Sequence, residues 1–265
     1  MAEHQIEDNI IGLALDGTGY GEDGNIWGGE ILICNLNSFR RVAHFDYLPM
    51  PGGDRAIHEP WRMAVSYLRK YVKNGTELAN SLFKDRTGQI KIISQAMDKN
   101  INVPLTSSCG RLFDAIAAIL GIRETVAYEG QAAIILEALA GEASGDIPDL
   151  GEFALIKNTD QYLIDPTEIF SNIVSLRMKG RDISGISRAF HEALINIFTQ
   201  IACLLRSETG LKQIALSGGC FQNMLILNGL SQKLRKNAFQ VFTNVEVPVN
   251  DGGISLGQAY WGMHN

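Results

Sequence analysis

The stretch from Ser184 to Arg206 places Ile186, Phe190, Leu194, Ile197, Ile201 and Leu205 three or four residues apart, which aligns them along one stripe of a long helix. That stripe must be buried against a sheet or a second helix. The chain then alternates. Gln213 to Leu216 reads as an apolar strand, SGGCFQN as a turn, Met224 to Arg235 as a helix, Phe239 to Phe242 as a strand, and NDGG as the opening of a last helix. The C-terminal part is therefore an α/β unit.

The other end begins with a short apolar run, Ile10 to Leu15, which stops at Asp16 in the glycine-rich DGTGYGEDGNIWGG. Glu30 to Leu36 and Arg40 to Leu48 follow as strands, giving a meander with an acidic first loop. After the breaker LPMPGGD, Asp54 can cap a helix running through Val72, with Ile57, Trp61, Val65 and Leu68 on one face. Helical spacing recurs over Gln89 to Met97, Gly110 to Leu120 and Glu129 to Ala140. The turn-rich, acidic segment Gly141 to Glu152 then precedes a short hairpin over Phe153 to Ile164. A division falls naturally there, into residues 1–150 and residues 151–265.

With 46% hydrophobic and 20% charged residues, the 265-residue chain can bury a sizeable core. Its net charge of -6 argues against binding nucleic acid mainly through phosphate neutralisation. Cys34, Cys109, Cys203 and Cys220 stand singly, with neither a disulfide framework nor a CxxC zinc motif, which fits a reducing cytoplasm. No run approaches the ~20 apolar residues of a membrane span, and the start MAEHQIEDN lacks the character of a signal peptide. No two of the five histidines have the i, i+4 spacing of a helical metal site.

Four motifs can carry chemistry. Asp16 with Gly17 and Gly19 follows a buried strand, where a carboxylate can hold a hard cation and glycine amides can approach an anion, although Asp-Gly is also a common hairpin turn. Gly218 and Gly219 open a helix that carries Asn223 in its first turn, an arrangement suited to a nucleotide's phosphate or sugar but without the GK[ST] ending of a P-loop. A tight βα turn would use the same glycines. Asp251 precedes a glycine pair and a helix, where capping is the ordinary role of an Asp. Yet Asp16 and Asp251 both follow strands and both adjoin glycines, as two carboxylates facing a shared metal would. In SSCGRLFDAIAA, Gly110 admits a tight helix entry, Arg111 can meet an anion and Asp114 a ribose, or Ser107 or Ser108 simply caps the helix.

Taken together, LALDGTGYGEDGNIWGGE, LPMPGGDRAIHEPWR, LTSSCGRLFDAIAA, YEGQAA, SGGCFQN and NDGGISLGQA resemble the C-terminal, Kae1-like domain of the hydrogenase maturation carbamoyltransferase family HypF, from Ile10 onward. The resemblance implies an α/β fold of the ASKHA type with two RNase H-like lobes. On it, residues 1–150 form a partial first lobe with a helical insertion, and residues 151–265 form the second lobe with the SGG turn. It also implies ATP or carbamoyl-adenylate as ligand and transfer of carbamoyl to the C-terminal cysteine of a HypE-like partner, toward the cyanide ligands of nickel–iron hydrogenase. Asp16 and Asp251 match the family's metal-binding aspartates; Gly110, Asp114, Gly218, Gly219 and Asn223 match its nucleotide-binding segments.

The resemblance covers only the family's C-terminal part: its acylphosphatase, zinc-finger and adenylate-forming domains, and the histidine-rich helix that supplies metal ligands, are not among these 265 residues. The expectation is an incomplete first lobe, poor metal affinity, and no carbamoyl-adenylate formation without those domains in cis or trans. Two alternatives stand beside this: a carbamoyltransferase of the same superfamily acting on tRNA or a small hydroxylated molecule, and a non-catalytic fragment that docks HypE.

Overall fold

The computed structural model describes residues 1–264. The chain opens with strands β1 (Ile10–Tyr20), β2 (Ile26–Cys34), β3 (Phe39–Phe45) and β4 (Leu48–Pro49). Helices α1 (Arg55–His58), α2 (Pro60–Tyr71), α3 (Gly75–Leu82) and α4 (Thr87–Asp98) follow, then β5 (Leu105–Thr106), α5 (Cys109–Ile119) and α6 (Gln131–Glu142). The hairpin β6 (Ala154–Lys157) and β7 (Tyr162–Asp165) leads into α7 (Thr167–Met178) and α8 (Ile183–Thr209). The chain finishes with β8 (Gln213–Ser217), α9 (Met224–Lys236), β9 (Gln240–Thr243) and α10 (Ile254–His264). Among the described residues no helix is long and apolar enough to cross a membrane.

One sheet runs in the order β6-β7-β3-β2-β1-β8-β9, with β4 and β5 attached beside β2. The first three strands form an antiparallel meander, whereas β8 lies parallel to β1 and β9 parallel to β8. The α/β class expected from the sequence is present. The division near residue 150, however, does not separate two sheets, because strands from both sides of it share this path. The physical reason is that β1 is central: β2 takes one of its edges, and the other is satisfied by β8, from Ile11 opposite Ile214 to Ala14 opposite Ser217.

The long helix finds the partner that its stripe demands. Ile186, Phe190, Leu194, Ile197, Ile201 and Leu205 on α8 are all buried. Neighbouring Phe198 sets its ring edge-on against Phe45 of β3 at 5.9 Å, and Phe190 does the same to Phe113 of α5 at 5.2 Å. The helix expected from Asp54 through Val72 is instead two. Pro60 bars the helical conformation for the residue before it, so Glu59 sits at φ −123°, ψ 71°, and Pro60 starts α2 afresh.

A buried carboxylate ties β2 to the entry of α5. Glu30 accepts the amides of Gly28 and Gly29 at 2.5 and 2.7 Å through Oε2, and the Ser107 hydroxyl through Oε1. The next residue, Ser108, caps α5 by accepting the Arg111 amide at 3.1 Å. Its Oγ also lies 2.6 Å from the Gly17 carbonyl and 2.9 Å from that of Asp16, so one side chain joins the helix start to the end of β1.

Burial pushes the Glu30 carboxyl up from 4.5 to about 7, outweighing the opposing hydrogen bonds and the charge of Arg41. The folded state therefore holds a proton that the unfolded chain has released, and the associated stability is full below about pH 4.5 and lost as pH rises through about 7. Urea melts at about pH 5 and about pH 8 should show this decline in the wild type, by up to about 3 kcal/mol. In Glu30→Gln, which cannot ionise, the decline should shrink by that amount.

Candidate active-site cleft

The carboxyl ends of β1 and β8 open into a cleft of about 470 Å³, the place where open α/β sheets commonly bind ligands. Regular pairing of β1 with β2 breaks after Leu15 and resumes at Gly19, so Asp16, Gly17 and Thr18 bulge out opposite the single residue Gly28. The bulge frees Asp16 and Gly17 to form one wall of the cleft. Gly110 of α5 is packed on this turn so closely that a Cβ there would lie 2.7 Å from the Gly17 Cα. On the other side, Gly218 takes φ +106°, and a Cβ on it would lie 2.3 Å from the Leu15 carbonyl oxygen. Both approaches require glycine.

The cleft is acidic. Burial raises the Asp16 carboxyl above its ordinary value, and the charges of Asp251 and Glu129 raise it further, against hydrogen bonds from the Gly17 and Gly219 amides. Deeper in the wall, Arg111 and Asp114 form a buried pair, with Nε 2.9 Å from Oδ2. Burial lifts Asp114 to about 6 in spite of the guanidinium beside it. The contact is not aligned as a hydrogen bond, so Arg111 Nε and Nη1 and Asp114 Oδ2 are left without hydrogen-bond partners. Glu129 lies at 3.9 Å from Arg111 Nη2 and is far more exposed.

Of the residues singled out in the sequence, Asp16, Gly17, Gly110, Arg111, Asp114, Gly219, Asn223 and Asp251 line this one cleft. Gly19 and Gly218 do not. Gly19 pairs with Trp27 in the β1–β2 hairpin, and Gly218 packs against Leu15 instead of facing the cavity. The helix start after SGG is also occupied. Asn223 Oδ1 accepts the Ile226 amide at 3.0 Å, and its amide nitrogen lies 2.9 Å from Nε2 of the buried His191. Glu137 of α6 accepts the amides of Met224 and Leu225 at 2.7 and 3.3 Å. The free donors expected at α9 are thus taken by protein groups.

Sequence reasoning missed Glu129 and Glu137. Glu129 stood inside YEGQAA, whereas nothing local marked Glu137, whose partners lie on another helix. The metal expectation finds only partial support in the donor set. Asp16 and Asp251 share the cavity, but among the described residues no three His, Cys, Asp or Glu side chains converge as a metal centre would require. The Arg111 guanidinium, by contrast, fits an anionic ligand group.

Comparison with known proteins places this architecture. Residues 12–258 match the family described as carbamoyltransferase, Kae1-like domain, second subdomain. The chain is 35% identical to carbamoyltransferase HypF2 of Cupriavidus necator, over 98% of this chain and 34% of that protein. With carbamoyltransferase HypF of Rhodobacter capsulatus it shares 38% identity, over 93% of this chain and 31% of that one. The crystal structure of a full-length HypF in its phosphate- and nucleotide-bound form superposes with a TM-score of 0.91 at 43% identity, covering 99% of this chain and 40% of that one. The chain thus spans about a third of the length of these curated relatives, and with its sheet, its cleft and most of its length matched it belongs to the HypF carbamoyltransferase family, in the second subdomain of the Kae1-like domain.

Proposed function

We propose that the chain is the carbamoyl-transfer subdomain of a HypF-type enzyme. It binds the nucleotide part of carbamoyl-adenylate, and the carbamoyl group passes to the C-terminal cysteine of a HypE-like partner, on the way to the cyanide ligands of nickel–iron hydrogenase. The observation that carries this reading is the Arg111 guanidinium, buried in the cleft wall, paired with Asp114 through Nε and with Nη1 lacking a hydrogen-bond partner. A HypF with a TM-score of 0.91 to this chain has been crystallised with phosphate and nucleotide.

The chemistry follows from these groups. The partner's thiolate attacks the carbamoyl carbon, the bond from that carbon to the adenylate phosphate oxygen breaks, and charge gathers on the leaving phosphate. Donors already desolvated and fixed in place stabilise such charge without reorganising. Arg111 is such a donor, fixed by Asp114. A divalent cation, when bound, would supply further positive charge; Asp16 and Asp251 supply only part of its ligand set, so no step is assigned to it. The enzyme needs no nucleophile of its own, because the attacking thiol arrives on the partner. Formation of the adenylate is assigned to other domains of the family.

The same incomplete set of metal donors favours one second reading, a fragment that docks HypE without catalysis. Action on tRNA is disfavoured by the net charge of -6.

Arg111→Lys keeps the charge beside Asp114 but loses the planar fork. Its fold should survive by circular dichroism, while calorimetric affinity for ATP falls about tenfold or more, the loss expected for hydrogen bonds to a charged group. Affinity equal to the wild type would remove Arg111 from the site. With ATP and a divalent cation present, Asp251→Ala should also weaken binding; unchanged affinity would favour the docking fragment. Incubated alone with ATP and carbamoyl phosphate, the chain should form no carbamoyl-adenylate, whereas supplying the adenylate-forming domain and a HypE-like protein should add a carbamoyl mass to the partner's terminal cysteine.

A further inference from the structure

The transfer chemistry makes no direct use of Glu30, whose carboxyl is buried behind the cleft and is not part of its lining. Its two oxygens divide their partners between two segments. Oε2 accepts the Gly28 and Gly29 amides on its own strand, and Oε1 accepts the hydroxyl of Ser107, 77 residues further on. Both segments abut the turn that forms the cleft wall. A Cβ on Gly28 would lie 2.6 Å from the Asp16 carbonyl oxygen and 3.2 Å from Ser108 Cα, and one on Gly29 would strike the Ser107 carbonyl. Ser108 in turn reaches the Asp16 and Gly17 carbonyls and caps the Arg111 amide. Neutralising Arg41 does not account for the carboxyl. Arg41 Nη1 is 4.0 Å from Oε1, whereas the same guanidinium donates to Tyr47 Oη at 2.6 Å and to Asp23 Oδ2 at 3.0 Å.

We propose that Glu30 is a positioning residue for the ligand site: by holding Ser107 against the Gly28 and Gly29 amides, it fixes the start of α5 relative to the bulge of β1 and so sets where the Arg111 guanidinium meets the anionic ligand. Glu30 itself touches no ligand. Arg111 stands roughly one helical turn beyond Ser107, so a shift at the junction is carried to it by the rigid first turn of α5. Loss of the carboxyl strips two buried amides and a buried hydroxyl of their partner, and the junction must move to satisfy them again. A displacement on the order of 1 Å is costly at a site that works through donors fixed in advance.

The role needs the shape of the group and not its charge. Glutamine keeps an acceptor for the two glycine amides and turns an amide N–H toward Ser107 Oγ, whose own hydrogen can point to the Ile26 carbonyl 3.5 Å away. Leucine has a similar volume and supplies neither link.

The effect on nucleotide affinity rests on the function proposed above; the junction itself does not. The full chain, as wild type, Glu30→Gln, Glu30→Leu, Ser107→Ala and the double variant Glu30→Leu/Ser107→Ala, is titrated calorimetrically with ATP. Glu30→Leu and Ser107→Ala should each raise Kd about tenfold or more at unchanged stoichiometry, and Glu30→Gln should bind as the wild type does. The double variant should lose no more than Glu30→Leu alone, because both changes break one link. A side chain needed only for folding would instead lower the fraction of sites that bind and leave their affinity as it was. That result, additive losses, or a loss in Glu30→Gln equal to that in Glu30→Leu would overturn the role. Should Glu30→Leu fail to fold, Ser107→Ala decides by the same criterion of Kd against stoichiometry. Amide hydrogen exchange without nucleotide tests the junction separately: in Ser107→Ala, peptides spanning Asp16 to Thr18 and Ser108 to Arg111 should exchange faster than in the wild type, and unchanged exchange would refute the linkage. If the wild type binds no ATP, the nucleotide reading and the effect on affinity fall together, while exchange still decides whether Glu30 and Ser107 hold the wall.

Discussion

Four backbone pairs between β1 and β8, from Ile11 with Ile214 to Ala14 with Ser217, determine where the chemistry of this protein sits. They join segments from opposite ends of the chain and bring the Asp16 turn beside the Gly218–Gly219 turn. The register cannot drift, because a slip of one residue would turn Leu13 and Leu216 away from the core in which both are buried. Gly218 enforces the same closeness at the strand ends, since any side chain there would drive into the Leu15 backbone. The cleft is thus a consequence of the sheet.

The helix α5 then closes the arrangement from a third direction. Ser108 caps the start of the helix and reaches the carbonyls of Asp16 and Gly17 with one hydroxyl, and Ser107 ties that junction to the buried Glu30 on β2. Movement of any one of these elements must disturb the others, because Ser107 and Ser108 are buried and their hydroxyls reach other strands, Glu30 on β2 and the Asp16 and Gly17 carbonyls on β1. This explains how a short segment, SSCGRLFD, contributes a cap, two close-packed residues and a buried ion pair within so few positions.

What was legible in the sequence follows the range of the interaction. Periodicity revealed α8 and α9 because their stripes are local, and the acid and glycines after Leu15 marked a cleft wall for the same reason. Pro60 marks a break, but the apolar face continues across it and hides the division into α1 and α2. Helices α3 and α7 and the short strand β5 carry no such local signal, and the strand expected over Arg40 to Leu48 is instead β3 and the start of β4; β4 and β5 span two residues each and owe their strand character to pairing partners elsewhere. The single sheet was hidden for the same reason: nothing in Ile10–Leu15 or Gln213–Leu216 alone states that they pair. Glu137 is the sharpest case, since its role is to cap a helix far along the chain, and only the fold makes that helix its neighbour.

Charge decides what the cleft can accept. Among the described residues lining it, Arg111 is the one cationic side chain, against the carboxylates of Asp16, Asp114, Glu129, Glu137 and Asp251. Asp114 is set against Arg111, with Glu129 3.9 Å from the same guanidinium, Glu137 against the amides that open α9, and Asp16 against the Gly17 amide. Asp251 and Glu129 nonetheless lie close enough to Asp16 to raise its carboxyl. A group of like charges at the mouth of a half-buried cavity repels a phosphate unless positive charge arrives with it. The ligand this geometry suits is therefore one that presents its anionic end to Arg111 in the wall and enters the acidic mouth accompanied by a cation, or by a basic segment not among these lining residues.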